Sequence, residues 1–453
     1  MFSRLLVANR GEVAVRILRA CAELGIETVA VYSEADAGSK YLEMADDAVC
    51  IGPSAAPDSY LNIPRIIAAA EITNVDAIHP GYGFLSEKDE FAEICEESNI
   101  IFVGPRSTTM RKMGNKVEAR RIAKENKVPV LPGSEDPIQE DDKAVELARE
   151  IGYPVMIKAA AGGGGRGMRI AHNEISLRNM LSLARTEAGQ AFSDDAVYVE
   201  KVLEKPRHVE VQILADAHGH VFHLGERDCS IQRRYQKLIE ETPCPGIDDS
   251  TRAGLCKAAV KLAKSVDYTG AGTVEFLVDD DGGYYFMEMN TRLQVEHPIS
   301  EIVTGIDIVK AQILVAGGEE LSYNQRKMEF DGCAIECRIN AENPANGFRT
   351  SPGRITEFIA PGGPGVRMDT HVYSGYEVQP FYDSMVAKLI CYGPTRHDTL
   401  SVLRRALREF SVGGIKTTIP FYQDLIEHRG YVNGDFDTHF VAEFLGNEAN
   451  GER

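Results

Sequence analysis

No apolar run in this 453-residue chain approaches the ~18 consecutive residues of a membrane-spanning helix, so a helical integral membrane protein is excluded. Basic residues are in the minority: 49 Lys and Arg face 68 Asp and Glu, a formal charge of −19. That balance argues against a nucleic-acid partner held through its phosphates. Nine cysteines are scattered from Cys21 to Cys391 with no CxxC pair and no even framework, which points to reduced, mostly buried thiols. Met1-Phe2-Ser3-Arg4-Leu5-Leu6 runs straight into a strand-like segment and shows neither a signal-like apolar region nor a Ser/Arg-rich transit stretch. The expectation is a cytoplasmic protein of about three domains, and 43% hydrophobic with 26% charged residues is ordinary for a globular chain.

Two phosphate-binding signatures are missing as well. There is no GxxxxGK[ST] loop, and no HRD/DFG set. The first strand-to-helix turn, Asn9-Arg10-Gly11-Glu12, is not GxGxxG, which makes a dinucleotide-binding assignment poor.

What is present begins with alternation. Apolar strand-like runs (Leu5–Ala8, Thr28–Tyr32, Val75–His79, Ile100–Val103) are separated by helical spacing at Val13, Ala14, Ile17, Leu18, Cys21 and Leu24, around Ile63–Ala70, and along Glu87–Glu97. The pattern predicts an α/β unit with a doubly wound parallel sheet, whose ligands sit at the carboxyl ends of strands. A smaller unit follows between Val128 and Leu203, and a longer one beyond Glu204 has strand-like stretches at Val209–Leu214, Gly272–Val278, Tyr284–Met289, Cys333–Ile339 and Ile355–Ile359. Helical patterns fall at Ala253–Val266, Asp307–Val315 and Asp398–Glu409.

Three features carry chemistry. The Gly-rich run Gly162–Gly167 lies between strand-like Val155–Lys158 and Met168–Ile170; its backbone N–H groups could approach a polyphosphate closely, with Lys158 reaching the same phosphates. Glu275 and Glu288 are charges inside apolar runs separated by the turn Asp279–Gly283, so a hairpin would set two buried carboxylates side by side. Such a pair needs a cation between them, and with Asn290 it offers hard oxygens suited to Mg²⁺ or Mn²⁺ on nucleotide phosphates. Thr291 to Pro298 then brings Arg292, Gln294, Glu296 and His297 together; Arg292 could hold a small anion and Glu296 act as a general base. His297 reads as structural, and Arg338, in Glu336–Asn340, as a charge in an apolar strand.

Ala8–Glu12, His79–Glu87, the Gly-rich run, Glu226–Arg234 and Glu288–Pro298 together resemble biotin carboxylase, the ATP-grasp component of biotin-dependent carboxylases, over nearly the whole chain. The resemblance implies an N-terminal doubly wound domain over 1–114, and an ATP-grasp domain over 115–330 that includes a mobile lid at 128–203. A C-terminal domain would follow over 331–446. It implies that ATP and bicarbonate give carboxyphosphate, and that the carboxyl group passes to N1′ of biotin. Lys116, Lys158, Gly164 and Gly165 match phosphate-binding groups. Glu200, Lys201 and Leu203 match the hinge that reads adenine, and His208, Gln232 and Tyr235 fall at further nucleotide positions. The family usually has histidine where Tyr235 stands, and a phenol cannot carry a positive charge. Glu275, Glu288 and Asn290 match metal ligands. Lys237, Arg292, Gln294 and the Val295 backbone match the bicarbonate pocket, with Glu296 as base. Arg338 matches the residue at the biotin ureido oxygen, and Tyr82 lies in the loop that helps hold biotin.

Arg19, Glu23 and Arg367 match a dimer interface, so a homodimer is expected. No Ala-Met-Lys-Met-like turn occurs, so the expectation is a subunit whose biotin is borrowed from a separate biotin carboxyl carrier protein and passed on by a carboxyltransferase. Another ATP-grasp ligase, such as a carbamoyl-phosphate or carboxylate–amine ligase, fits less well with the His79–Glu87 motif and the Arg338 strand. A non-catalytic nucleotide-binding regulator would be expected to lack Glu296 or a metal ligand.

Overall fold

A computed structural model describes residues 2–159, 169–192 and 196–450. The alternating N-terminal pattern folds as expected. Five parallel strands lie in the order Asp47–Cys50, Glu27–Tyr32, Arg4–Val7, Ala77–His79, Ile101–Phe102. The chain reverses direction across the sheet between Arg4–Val7 and Ala77–His79, and the crevice outside such a switch point is where doubly wound sheets bind ligands. Both N-terminal motifs end there: Asn9 Nδ2 donates to the carbonyls of Pro80 (2.7 Å) and Tyr82 (2.8 Å). Gly81 has φ +64°, and a Cβ there would meet Asn9 Nδ2 at 3.0 Å, so the turn requires glycine. The helix Gly11–Leu24 buries Val13, Ala14, Ile17, Leu18 and Cys21, the stripe expected from their spacing. It ends on Gly25, whose φ of +68° is a left-handed cap.

The middle unit is a three-stranded antiparallel sheet, Arg169–Ala171, Val155–Ala159 and Val197–Lys201, backed by helices Asp141–Ile151 and Glu174–Phe192. It has a core of its own, including Val145, Ala148, Ile157, Leu177, Leu181 and Val199. The Gly-rich run with Gly164 and Gly165 lies outside the described residues.

Eight antiparallel strands form the platform, in the order Tyr284–Asn290, Gly270–Val278, Arg207–Ala215, Val221–Arg233, Gln236–Thr242, Cys333–Asn340, Met385–Gly393, Val366–Thr370. Pairing is continuous across position 330: Ile239 stands opposite Cys337 and Glu240 opposite Glu336. The sheet is covered at one end by the helix Asp249–Ser265 and at the other by Arg396–Glu409, Ile419–Leu425 and Phe440–Asn450. Among the described residues no helix is long and apolar enough to cross a membrane. All nine cysteines are free, seven of them buried, with Cys50 exposed.

Candidate active site

Strand register builds the site. Arg227 stands opposite Glu210, Glu210 opposite Glu275, and Glu275 opposite Glu288, one residue from each of four adjacent strands. Three carboxylates in a row repel unless cations intervene. Arg227, fully buried, donates to Glu210 from Nε (2.6 Å) and to Gln212, Ser300 and Thr273. Lys237 Nζ enters from the next strand and reaches Glu210 (2.5 Å), Glu275 (2.9 Å) and Glu296 (2.8 Å) together. One ammonium therefore gathers three buried carboxylates with all three of its donors.

The structure brings Glu275 and Glu288 face to face, as the hairpin suggests, but corrects the expectation that both are buried. Tyr284–Asn290 is the edge strand of the sheet, so the Glu288 side chain keeps 39% of its exposure and pairs with Lys116 at 3.4 Å. Glu275 instead turns inward, accepting from Lys237, Asn290 Nδ2 (2.8 Å) and His208 Nε2 (3.0 Å). Burial pushes Glu275 up, but Lys237 and His208 outweigh it and hold the carboxyl well below the usual range. An ionised carboxylate facing a second one across the strands, with the Asn290 amide bonded to the first through Nδ2, supplies oxygen donors of the hard kind a divalent cation takes.

Glu296 ends the turn before the helix His297–Thr304 and is fully buried. Oε1 takes Lys237, and Oε2 accepts from Arg338 Nη2 at 2.8 Å. Burial raises its pKa, but Lys237, Arg338 and Arg227 prevail and hold it well below the ordinary carboxylate value. The residue is an anion with two hydrogen-bonded cations. Arg338 also donates to Glu240 from Nε (2.6 Å); burial pushes Glu240 up to about 7 against that pairing. Arg292 does not pair with Glu296. Its guanidinium meets Glu87 at 2.8 Å and donates to Gln294 Oε1 at 3.2 Å. The other end of that amide, Gln294 Nε2, is buried and meets no acceptor among the described residues. A buried unpartnered donor beside a guanidinium is suited to a small anion. His297 is a fastener of this turn, its Nδ1 and backbone N–H both at the Gln294 carbonyl.

The remaining expected residues fall into three places. Lys158 and Glu200 meet on the middle unit, where Glu200 also accepts from Arg120. Burial raises Glu200, but Lys158 and Arg120 prevail and lower it. Lys201 Nζ is occupied by the carbonyls of Gly152 (3.1 Å) and Tyr153 (2.9 Å), and Leu203 is half-buried just beyond it. Gln232 stands opposite Lys237 in the hairpin, while Tyr235 sits at its tip, 64% exposed and with φ +65°. Tyr82 is apart from the carboxylate row: its hydroxyl donates to Glu12 on the first helix. Glu210, Glu240, Arg120 and Lys388 are not among the residues expected from the sequence, and Glu87 and Arg227 stand within its motifs without a role of their own.

Comparison with known proteins adds three matches to family models. Residues 1–110 match the biotin carboxylase N-terminal domain, 115–324 the ATP-binding domain of the carbamoyl-phosphate synthase L chain, and 336–443 the biotin carboxylase C-terminal domain. The chain is 56% identical over 445 residues to biotin carboxylase 1 of Bacillus subtilis, covering 98% of this chain and 99% of that one. It superposes with TM-score 0.94 and 48% identity on a biotin carboxylase–βγ-ATP complex from Campylobacter jejuni, covering 98% and 99% of the two chains. A further match, TM-score 0.92 at 46% identity over 98% of each chain, is the biotin carboxylase domain dimer of Hydrogenobacter thermophilus 2-oxoglutarate carboxylase with MgADP, ADP and bicarbonate.

Proposed function

The chain belongs to the biotin carboxylase family, and from that premise we propose that the residues assembled here perform ATP-dependent carboxylation of carrier-bound biotin by bicarbonate. The observation that carries this reading is Glu296, an ionised buried carboxylate on two cations, in the same short run as Arg292 and the unpartnered Gln294 Nε2.

Bicarbonate binds to Arg292 and Gln294 with the Val295 backbone and Lys237 alongside. Glu296 takes its proton as a bicarbonate oxygen attacks the γ-phosphorus, so nucleophilicity rises in step with bond formation. ADP leaves and carboxyphosphate is formed. Lys116, Lys158 and Lys237 offset the charge that accumulates on the phosphoryl oxygens. Glu275, Glu288 and Asn290 would hold Mg²⁺, which when bound neutralises phosphate charge. Carboxyphosphate is short-lived in water, so closure of the middle unit over the nucleotide has the further task of excluding solvent. Carboxyphosphate breaks at its C–O bond into CO2 and phosphate. Arg338, held by Glu296 and Glu240, would face the biotin ureido oxygen and favour transfer of the N1′ proton to that phosphate, and N1′ then attacks the carbon of CO2.

The nucleotide's adenine would be read at Glu200–Leu203, with His208, Gln232 and Tyr235 along its flank. Partners are a biotin carboxyl carrier protein and a carboxyltransferase, in the cytoplasm. A homodimer is supported by Arg19 and Glu23, exposed on the first helix, and by the dimer of the Hydrogenobacter thermophilus relative, while Arg367, the third residue of the expected interface, pairs within the chain with Asp369 and Glu301. The test is ATP cleavage by the purified chain with and without bicarbonate, followed by labelled-bicarbonate transfer to free biotin. Cleavage dependent on bicarbonate and stimulated by biotin is the expected result; cleavage indifferent to both would overturn the reading.

A further inference from the structure

Lys388 is the one fully buried lysine side chain among the described residues, and the chemistry above leaves it unused. It lies on the strand Met385–Gly393, directly opposite Arg338 on one side and Asp369 on the other. From there Nζ crosses to two other parts of the molecule. It donates to the Val295 carbonyl at 2.9 Å and lies 3.2 Å from Glu12 Oε2 on the first helix. Glu12 in turn accepts the Tyr82 hydroxyl on its other oxygen, and Nζ stands 5.9 Å from the Tyr82 ring centroid.

An ammonium in a dry interior is costly without partners, and a lysine serving only as filler would be better replaced by an apolar side chain. The partners here are specific. Burial lowers Lys388, but Glu12, Glu336 and Asp369 together keep it charged. Asp369 is ionised: burial raises it, and Lys388 with Arg367 more than reverses that. The nearest counter-charge is Glu12 at 3.2 Å, across on the first helix, with Asp369 farther off at 3.9 Å, so the ion pair that keeps Lys388 charged is also the one that spans two parts of the molecule.

Consecutive residues of one turn are thus gripped from consecutive strands: Arg338 holds the Glu296 carboxylate, and Lys388 holds the Val295 carbonyl that orients the peptide entering Glu296. We propose that Lys388 is a positioning residue that sets the bicarbonate turn, Arg292 to Glu296, and through Glu12 sets the Tyr82 loop in register with it. One buried cation would then align the two substrate-holding segments, which come from different domains. The proposal rests on the reading of this pocket as the bicarbonate and biotin site.

The test uses Lys388→Met, which keeps the length and apolar stem, and Glu12→Gln, which keeps the lysine and removes the carboxylate that joins it to Tyr82. Hydrogen exchange of the unliganded protein reads the geometry without any activity. In Lys388→Met the segments around 80–86 and 292–298 should both lose protection while the Asp141–Ile151 helix does not; unchanged exchange in both, or uniform loss throughout the chain, would overturn the proposal whatever the protein catalyses. In steady state, the KM for bicarbonate should rise about tenfold in Lys388→Met, as expected for a lost charged hydrogen bond, while the KM for ATP moves less than about twofold. Tyr82→Phe should reduce biotin stimulation in the wild type and add little on the Glu12→Gln background. Equal Tyr82→Phe effects in both backgrounds would sink the coupling. If wild-type cleavage ignored bicarbonate, the functional reading would fall and the exchange result would still decide the role of Lys388.

Discussion

Arg338 and Glu296 are bonded to each other, Nη2 to Oε2 at 2.8 Å, although the first is assigned to biotin and the second to bicarbonate. In the proposed reaction, the base of one half is thus held by the cation of the other half. Removing Arg338 should affect the two halves unequally. Arg338→Met keeps Lys237 on Glu296, so bicarbonate-dependent ATP cleavage should persist at a reduced rate, while carboxybiotin formation falls by about a hundredfold or more. The ratio of labelled carboxybiotin to phosphate released measures this. A ratio equal to that of the wild type would remove Arg338 from the biotin step.

Glu296→Gln should abolish bicarbonate-dependent cleavage with ATP binding within about twofold, since the lost group acts on bicarbonate alone. Equilibrium nucleotide binding and turnover, measured on the same preparation, decide it. Turnover near the wild-type value would end the assignment of Glu296 as base.

Glu288 is half-exposed on an edge strand and pairs with Lys116 at 3.4 Å, so Glu288→Gln should cost less than about 0.5 kcal/mol of stability. Its effect should instead fall on the metal. A Mg²⁺ titration of ATP cleavage is expected to shift to roughly tenfold higher concentration, and an unshifted curve would make Glu288 a structural carboxylate.

Glu200 holds Arg120 and Lys158 at once, which ties the lysine proposed to reach the phosphates to the stretch proposed to read adenine. Glu200→Gln should raise the KM for ATP by about tenfold and change the KM for bicarbonate little. Initial rates across a grid of both substrates separate the two, and a bicarbonate effect as large as the ATP effect would contradict this placement.

Acid stability should turn on Asp36, which accepts from Arg10 (2.6 and 2.7 Å) and Tyr60 (2.7 Å) and is fully buried. Burial raises its pKa, but Arg10 and Tyr60 prevail, so the folded value lies below the unfolded one. A depressed carboxylate stabilises fully above the unfolded value near pH 4 and progressively less as pH falls through the folded value. Asp36→Asn should lower stability by about 3–5 kcal/mol at pH 7 and flatten the dependence of Tm on pH below 4. Equal slopes for the two proteins would exclude Asp36 as the titrating group.

Local patterns in the sequence carried much of this. The helical stripe of Gly11–Leu24 and the hairpin that opposes Glu275 to Glu288 follow from spacing alone, because both depend on neighbours within a few residues or one turn. Glu288's exposure did not follow, since being an edge strand is a property of the whole sheet. Lys388 is the single charge of its apolar strand, Glu210 is a charge set between apolar neighbours and Glu240 follows an apolar pair, a signal much like that of Arg338. Their meaning appears only when strands far apart in sequence are brought into register. Arg120 offered no signal at all: it lies on an ordinary amphipathic helix and acquires its role from Glu200, eighty positions away.

The hydrogen-bond ladder that runs unbroken from Gln236–Thr242 into Cys333–Asn340 has a consequence for anyone dissecting the molecule. Residues near 330 look like a seam in sequence, yet a cut there separates two long partners of one ladder. Each fragment would carry a raw edge of unpaired backbone, a template for self-association. Lys237 would leave with one piece and Arg338 with the other. Separately expressed halves should therefore precipitate or recombine rather than behave as modules, and a chimera that exchanges the acceptor-side strands must carry the Gln236–Thr242 strand with them to keep the register.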